Sequence, residues 1–377
     1  MSEKSDKYVE LRHPFLVPPG KHVQMWMMNV RMGTQEFASR MGTSMQTVNK
    51  LLKGDQALTP DMAQRLERVT GAPASFWSKL EANYRNELAR RASYDEKSAK
   101  EWIKKFPTTD LVKRKALPAD FRKMSVEEKR EELLKFFGVA DEKAYENSFN
   151  ERKFAARTVK GVTSSMPALE AWIQLALKEA DKVTIPDYDA DKFSALLDQV
   201  SGMTVSLESE ETTVDSWLLA LRDRCLETGV ALLFIRSLKG MCHVNGVTTW
   251  RNGHPVIVLS LYGRSIDRIL FSFLHEAGHV IKHQKTLTYV TCEENAPAEE
   301  EADRFAADKL LPRDCNKAIE ETQGCSKALE SLAADYGVYS GLVIGRYCHL
   351  HGFDKHSAYL SSQIRRFAWK QDQWKLA

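Results

Sequence analysis

The segment SIDRILFSFLHEAGHVIKHQ, which starts at Ser265, constrains the fold more than any other stretch of the chain. Ser265 can cap a helix. Ile269, Leu270, Phe273, Leu274, Val280 and Ile281 recur at helical spacing, so one side of that helix has to be buried. His275 and His279 stand four residues apart, and on a helix both imidazoles then project from one face. That spacing lets two ring nitrogens reach one Zn2+ at about 2.0–2.1 Å. Glu276, next to the first histidine, is placed to take a proton from an attacking water and return it to a leaving amine.

A catalytic zinc needs a third protein ligand and an open fourth position. Downstream, APAEEEADRFAADKLLP offers Glu299 at the start of an E-x-x-A-D pattern on a second helix. Glu299 is read as the third ligand, with Glu300 and Glu301 as its competitors. Asp303, one turn on, is read as hydrogen-bonded to a ligand histidine. His283, one turn beyond His279, is either a fourth ligand or a residue outside the ligand set. The runs GVALLFIRSL and HPVIVLSLYGR, bounded by Gly, Pro and Asn, predict a small sheet just ahead of the helix. His254, Tyr262 and Tyr289 are candidates for stabilising an oxyanion.

The N-terminal quarter carries a different signal. In GTQEFASRMGTSMQTVNKLLKGDQALTPDMAQRLERVTG, Thr34, Ser44 and Thr59 are expected to cap three short helices, the first two stopping at Gly42 and Gly54. Two short helices joined by a Gly-containing turn form a helix-turn-helix pattern. The second has Val48 and Leu51 facing inward. The DNA-binding face is read as Ser44, Met45, Gln46, Thr47, Asn49 and Lys50: Gln and Asn suit adenine edges, and Lys suits guanine. Gln35, at the start of the preceding helix, is placed to contact a phosphate.

At 377 residues, two or three domains are expected. Residues 1–90 are read as the DNA-binding domain, 91–165 as a charged helical linker, and 166–377 as the metal domain with a helical flank and a C-terminal helical extension. The fold class is α+β, mostly α. DEKSAKEWIKKF and SVEEKREELLKFFGV in the linker are amphipathic helices separated by Pro107 and Pro118. PALEAWIQLALKEADKV buries Leu169, Trp172, Ile173, Ala176 and Leu177. Residues 1–90 hold 13 Lys/Arg against 9 Asp/Glu, a +4 excess in a chain of net charge +3, which permits nucleic-acid binding at that end. No run approaches the roughly 18–20 apolar residues of a membrane span. The start, MSEKSDKYVELRH, is not a secretory signal. The six cysteines form no CxxC pair, which argues against a zinc ribbon or a disulfide framework. A cytoplasmic protein is expected.

Two resemblances sharpen these expectations. A stretch of about 70 residues within the N-terminal quarter, PPGKHVQ to YRNEL, resembles the HigA branch of the Xre (lambda-repressor-like) family through Pro19-Gly20, the Gly54-to-Pro60 turn and the closing Phe76, Trp77, Leu80 and Tyr84. That resemblance implies an antitoxin that binds operator DNA as a homodimer and neutralises a HigB-like toxin. Met45 departs from the usual polar residue on a reading helix. The stretch from about Gly229 to Pro312 resembles the ImmA/IrrE family through PVIVLS, FLHEAGHVIKH and EEEADRFAADKLLP. This second resemblance implies a gluzincin-like zinc metallopeptidase that cleaves an Xre-type repressor. Asp303 stands where Asn is frequent in that family. A metal domain that senses without cleaving would keep the same residues.

Overall fold

The computed structural model describes residues 17–92, 95–151, 166–241, 244–262, 264–283, 289–290, 297–352, 354–370 and 373–376. The chain divides into two compact units, Met1–Glu96 and Lys97–Ala377.

In the first unit, Pro, Ser, Thr and Gly punctuate five helices: α1 (Pro19–Asn29), α2 (Thr34–Met41), α3 (Met45–Lys53), α4 (Pro60–Thr70) and α5 (Ala74–Ala92). The Ser44 hydroxyl accepts from the Thr47 amide and the Thr59 hydroxyl from the Met62 amide, so both are caps as expected. Thr34 is not: Gly33 holds the cap position of α2, without a side-chain bond. Val23, Phe37, Val48, Leu51, Leu66 and Trp77 form the core. Gly20 is dictated by packing. A Cβ on it would lie 1.9 Å from the Leu51 carbonyl oxygen, so only glycine lets α1 meet the backbone of α3.

The second unit opens with α6 (Glu96–Lys104), α7 (Thr108–Lys113), α8 (Val126–Phe137), α9 (Glu142–Glu151) and α10 (Met166–Ala180). Next come α11 (Ala190–Met203), α12 (Val214–Glu227), β1 (Ala231–Ile235), β2 (Gly246–Arg251), β3 (His254–Leu259) and α13 (Ile266–Lys282). The remaining elements are β4 (Tyr289–Val290), α14 (Pro297–Leu310), α15 (Cys315–Glu321), α16 (Ser326–Tyr336), α17 (Ser340–His351), α18 (Lys355–Ser362) and β5 (Lys375–Leu376). The strands form one mixed sheet in the order β4-β2-β3-β1-β5, with β1 parallel to β3 and the other pairs antiparallel.

The sheet lies between two helical layers, and strand alternation divides its side chains between them. Leu232, Phe234, Ile257 and Leu259 pack with Phe273 and Leu274 of α13. Ala231, Ile235, Val256 and Val258 pack with Leu169, Trp172 and Ile173 of α10. This second core also contains Trp102, Phe106, Leu133, Phe137 and Tyr145. The described part of the expected linker is therefore a packed layer of this unit, because the apolar stripes of its amphipathic helices have the sheet to cover. Arg114 ties the layer down by donating to the carbonyls of Arg236 and Ser237, at 2.6 and 2.7 Å.

Two strand runs were legible in the sequence; β2 was not. It turns into β3 through Asn252 and Gly253, both at positive φ (52° and 87°), and its register pairs Arg251 with His254 and Gly246 with Leu259. Cys225, Cys315, Cys325 and Cys348 are free thiols; Cys242 and Cys292 lie outside the described residues. Among the described residues, no helix is long and apolar enough to cross a membrane.

Candidate metal centre and nucleic-acid interface

Three elements that are distant in sequence build one buried polar cluster in the second unit. α13 contributes His275, Glu276 and His279, α14 contributes Glu299, and β2 contributes Thr248; all five are buried. Ionisable groups in the middle of a buried helix face are costly unless they are paired. His275 Nε2 and His279 Nε2 are 3.1 Å apart. Glu299 Oε2 lies 3.1 Å from His275 Nε2, and Glu299 Oε1 lies 3.3 Å from His279 Nε2. Glu299 Oε1 is buried without a hydrogen-bond geometry that satisfies it.

These separations suit a metal. Ligands about 2.0–2.1 Å from a tetrahedral centre stand about 3.3–3.4 Å from one another. Two imidazole nitrogens and a carboxylate that face one another also require positive charge among them. Burial pulls the His275 pKa down, but hydrogen bonds with Asp303 and Glu299 outweigh it and lift the pKa to about 10. Burial pushes Glu299 up, but the two histidines outweigh that and bring it to about 2. The donor set, two imidazoles and one carboxylate, is one that zinc accepts.

The neighbouring residues fall into place around this cluster. Asp303 Oδ1 is 2.7 Å from His275 Nδ1, on the ring nitrogen opposite the cluster, where it fixes the ring's orientation. His283 is not among the converging atoms: its Nδ1 lies 2.8 Å from His279 Nδ1, behind that ring. Of the three consecutive glutamates only Glu299 is buried. Glu300 is exposed, and Glu301 lies 3.5 Å from His283. The close approach of α14 depends on Gly278, where a Cβ would lie 3.3 Å from the Ala302 Cα and 3.2 Å from the Phe305 ring.

Glu276 points to the sheet. The Thr248 hydroxyl is 2.6 Å from Glu276 Oε2 and 2.9 Å from the Glu276 backbone carbonyl. A Cβ on Gly246 would lie 2.7 Å from both Cγ and Oε1 of Glu276, so the strand must be bare there. Register explains both residues. Gly246 is opposite Leu259 and Thr248 opposite Ile257, and those two side chains belong to the core on the α13 side. The sequence reading missed Gly246 and Thr248 because it missed β2. The available signal was Asn-Gly at 252–253, a two-residue hairpin turn. Of the oxyanion candidates, His254 sits at the hairpin end of β3 and Tyr262 is half exposed just after it. The backbone of Tyr289 pairs with Thr248, while its side chain lies outside what the structure describes. Neither His254 nor Tyr262 is among the residues whose ligand atoms converge.

In the first unit, α3 turns Val48 and Leu51 into the core and leaves Met45, Gln46, Asn49 and Lys50 exposed. Ser44 is exposed and Thr47 half-buried; their hydroxyls pair at 2.9 Å, which commits both to the cap. Gln35 is exposed in the first turn of α2. The seven expected contact residues thus lie on α3, its cap and the start of α2. The basic last turn of α3 holds Lys50 and Lys53.

Comparison with known proteins separates the same two regions. Residues 31–77 match the helix-turn-helix family, and residues 228–346 match the IrrE N-terminal-like domain of the M78 peptidases. The second match contains β1 to β4, α13 and α14, and so every residue of the buried cluster. An uncharacterised HTH-type transcriptional regulator of Escherichia coli (strain K12), YddM, is 35% identical over 63 residues, covering 17% of this chain and 67% of that relative. The chain belongs to the HTH-type transcriptional regulators and joins their DNA-binding domain to an IrrE-like peptidase domain.

Proposed function

We propose that this chain is a DNA-binding regulator whose second unit is a zinc-dependent endopeptidase, with His275, His279 and Glu299 as ligands and Glu276 as general base. The convergence of those three ligand atoms within 4.8 Å of one another, with the Glu276 carboxylate held beside them by Thr248, carries the reading. Zinc bound there would supply a Lewis acid that polarises a peptide carbonyl and acidifies water.

The chain's own residues do the rest. Asp303 holds the His275 ring by Nδ1 and leaves Nε2 to the cluster. Thr248 donates to Glu276 Oε2 and fixes the plane of the carboxylate. Glu276 takes a proton from water as its oxygen attacks the carbonyl carbon. It then passes that proton to the amide nitrogen as the C–N bond breaks. The hydrophobic layers around α13 exclude bulk solvent and strengthen each of these interactions.

The first unit is read as a homodimer that places α3 in the major groove of a near-palindromic operator, with half-sites about one helical turn apart. Gln46, Asn49 and Lys50 read bases, and Gln35 holds a phosphate. The protein substrate is an Xre-type repressor, a HigB-like toxin or a second copy of this chain. Metal analysis and a cleavage assay on Glu276→Gln test the whole reading. One zinc per chain with cleavage lost supports it. A variant that cleaves like wild type would remove Glu276 from the chemistry, and a wild type that holds zinc but cleaves nothing would leave the metal to sensing.

A further inference from the structure

A cavity of about 540 Å3 opens beside the metal cluster, within the roughly 300–1,000 Å3 range of ligand sites. Three elements that carry the cluster run on into its wall. Phe271, in its wall, precedes His275 by one turn of α13, and its ring is 6.4 Å from that imidazole. Ala307, also in the wall, follows Asp303 by one turn of α14. Asn245, at its edge, precedes Gly246, on which the Glu276 side chain rests. A chain bound against the cluster therefore has this cavity as its next surface.

The lining decides what it accepts. Leu259, Leu261, Leu342 and Ile364 make the interior apolar. The Arg346 guanidinium is already engaged within the wall: it donates to Asn316 Oδ1 at 3.1 Å and to the Ala307 carbonyl at 2.7 Å. An apolar interior of this size matches a bulky apolar side chain.

Part of the pocket lies outside the matched domain, which ends at residue 346. Cys348, His349, Ser361 and Ile364 come from the C-terminal extension. That extension is tied to the start of α13: the Ile266 amide donates to the Arg365 carbonyl at 3.0 Å, and the Phe367 amide to the Arg264 carbonyl at 2.7 Å. The extension thus gives this chain a pocket wall of its own.

We infer that this cavity is the specificity pocket of the candidate peptidase site and takes a large apolar side chain, of leucine or phenylalanine size, next to the scissile bond. The inference rests on the peptidase reading above. The test is cleavage of a peptide library by the zinc-loaded full chain, read by mass spectrometry, for wild type and Ala307→Phe. Wild type is expected to cleave beside large apolar residues. Ala307→Phe is expected to shift that preference at least about tenfold toward Ala and Gly, in the range that side-chain size commands in such pockets, with zinc content unchanged. Ala307→Leu adds less volume and repeats the test should the phenylalanine variant not fold. Active wild type with no apolar preference, or a filled pocket with an unchanged profile, overturns the pocket. Zinc-loaded wild type that cleaves no peptide overturns the peptidase reading itself, and the pocket's role with it.

Discussion

The two units solve opposite problems with helices of similar sequence character. α3 presents its polar residues to solvent and buries only Val48 and Leu51. α13 buries its polar residues: His275, Glu276 and His279 are each no more than 2% exposed. A surface that meets a large, charged partner needs side chains free to reach it, and the partner supplies the rest of the geometry. A site that moves protons at a peptide bond needs its geometry fixed in advance in a dry setting, so it needs other elements to hold it. Hence α3 depends on its own caps, whereas α13 depends on β2 and α14.

The sharpest break of the comparison is the double change His275→Ala/His279→Ala. Zinc content should fall to background, and proteolysis should become undetectable. Operator binding should persist, since the first unit has its own core. Loss of DNA binding in that variant would show that the units are not independent. Chelation of wild type should reproduce the pattern, and re-addition of zinc should reverse it.

Next in size is Glu276→Gln. Zinc should stay bound and cleavage should fall by about 10²–10⁴-fold, the range of a positioned general base. Zinc content and cleavage rate, measured on the same sample, separate a lost base from a lost metal.

The same contrast governs what the sequence discloses. The helix-turn-helix was legible because its signals are local: caps, stops and an apolar pair each lie within one helix. The metal ligands were legible in part. His275 and His279 follow from an i, i+4 spacing, and Glu299 from a second helix with its own pattern. Thr248 and Gly246 were illegible, because their roles arise from strand register against a helix 28 residues further on. The packed state of residues 97–151 was hidden for a related reason. An amphipathic helix announces that it has a buried face but not what covers it.

The DNA face comes third. Lys50→Ala and Gln46→Ala should each weaken specific binding by about 1–3 kcal/mol, or roughly 5- to 150-fold, if each makes a bidentate base contact. Binding to unrelated DNA should change much less, and competition with scrambled duplex in a mobility-shift assay distinguishes the two. Equal losses on both DNAs would move these residues from base reading to backbone contact.

Thr248→Val should have a smaller effect than Glu276→Gln. The change keeps the shape and removes the hydroxyl, leaving the Glu276 carboxylate short of one buried donor, a cost of about 1–3 kcal/mol. Cleavage should fall roughly tenfold with zinc retained, and Thr248→Ser should restore it. A serine variant as slow as valine would mean that the methyl group, not the hydroxyl, matters at that position.

The smallest expected effect is at Gln35, where the surface logic of the first unit is tested most directly. Gln35 is exposed in the first turn of α2, where its amide can donate to a phosphate without touching a base. A neutral hydrogen bond of this kind contributes about 0.5–1.5 kcal/mol, so Gln35→Ala should weaken operator and unrelated DNA alike, by roughly 2- to 12-fold. The ratio between the two affinities should stay constant, in contrast to Gln46→Ala, where it should shrink. Zinc content and cleavage should be those of wild type, because Gln35 lies in the other unit. If Gln35→Ala changes the ratio of the two affinities, α2 reads sequence as well as holding position, and the division of labour between α2 and α3 has to be redrawn.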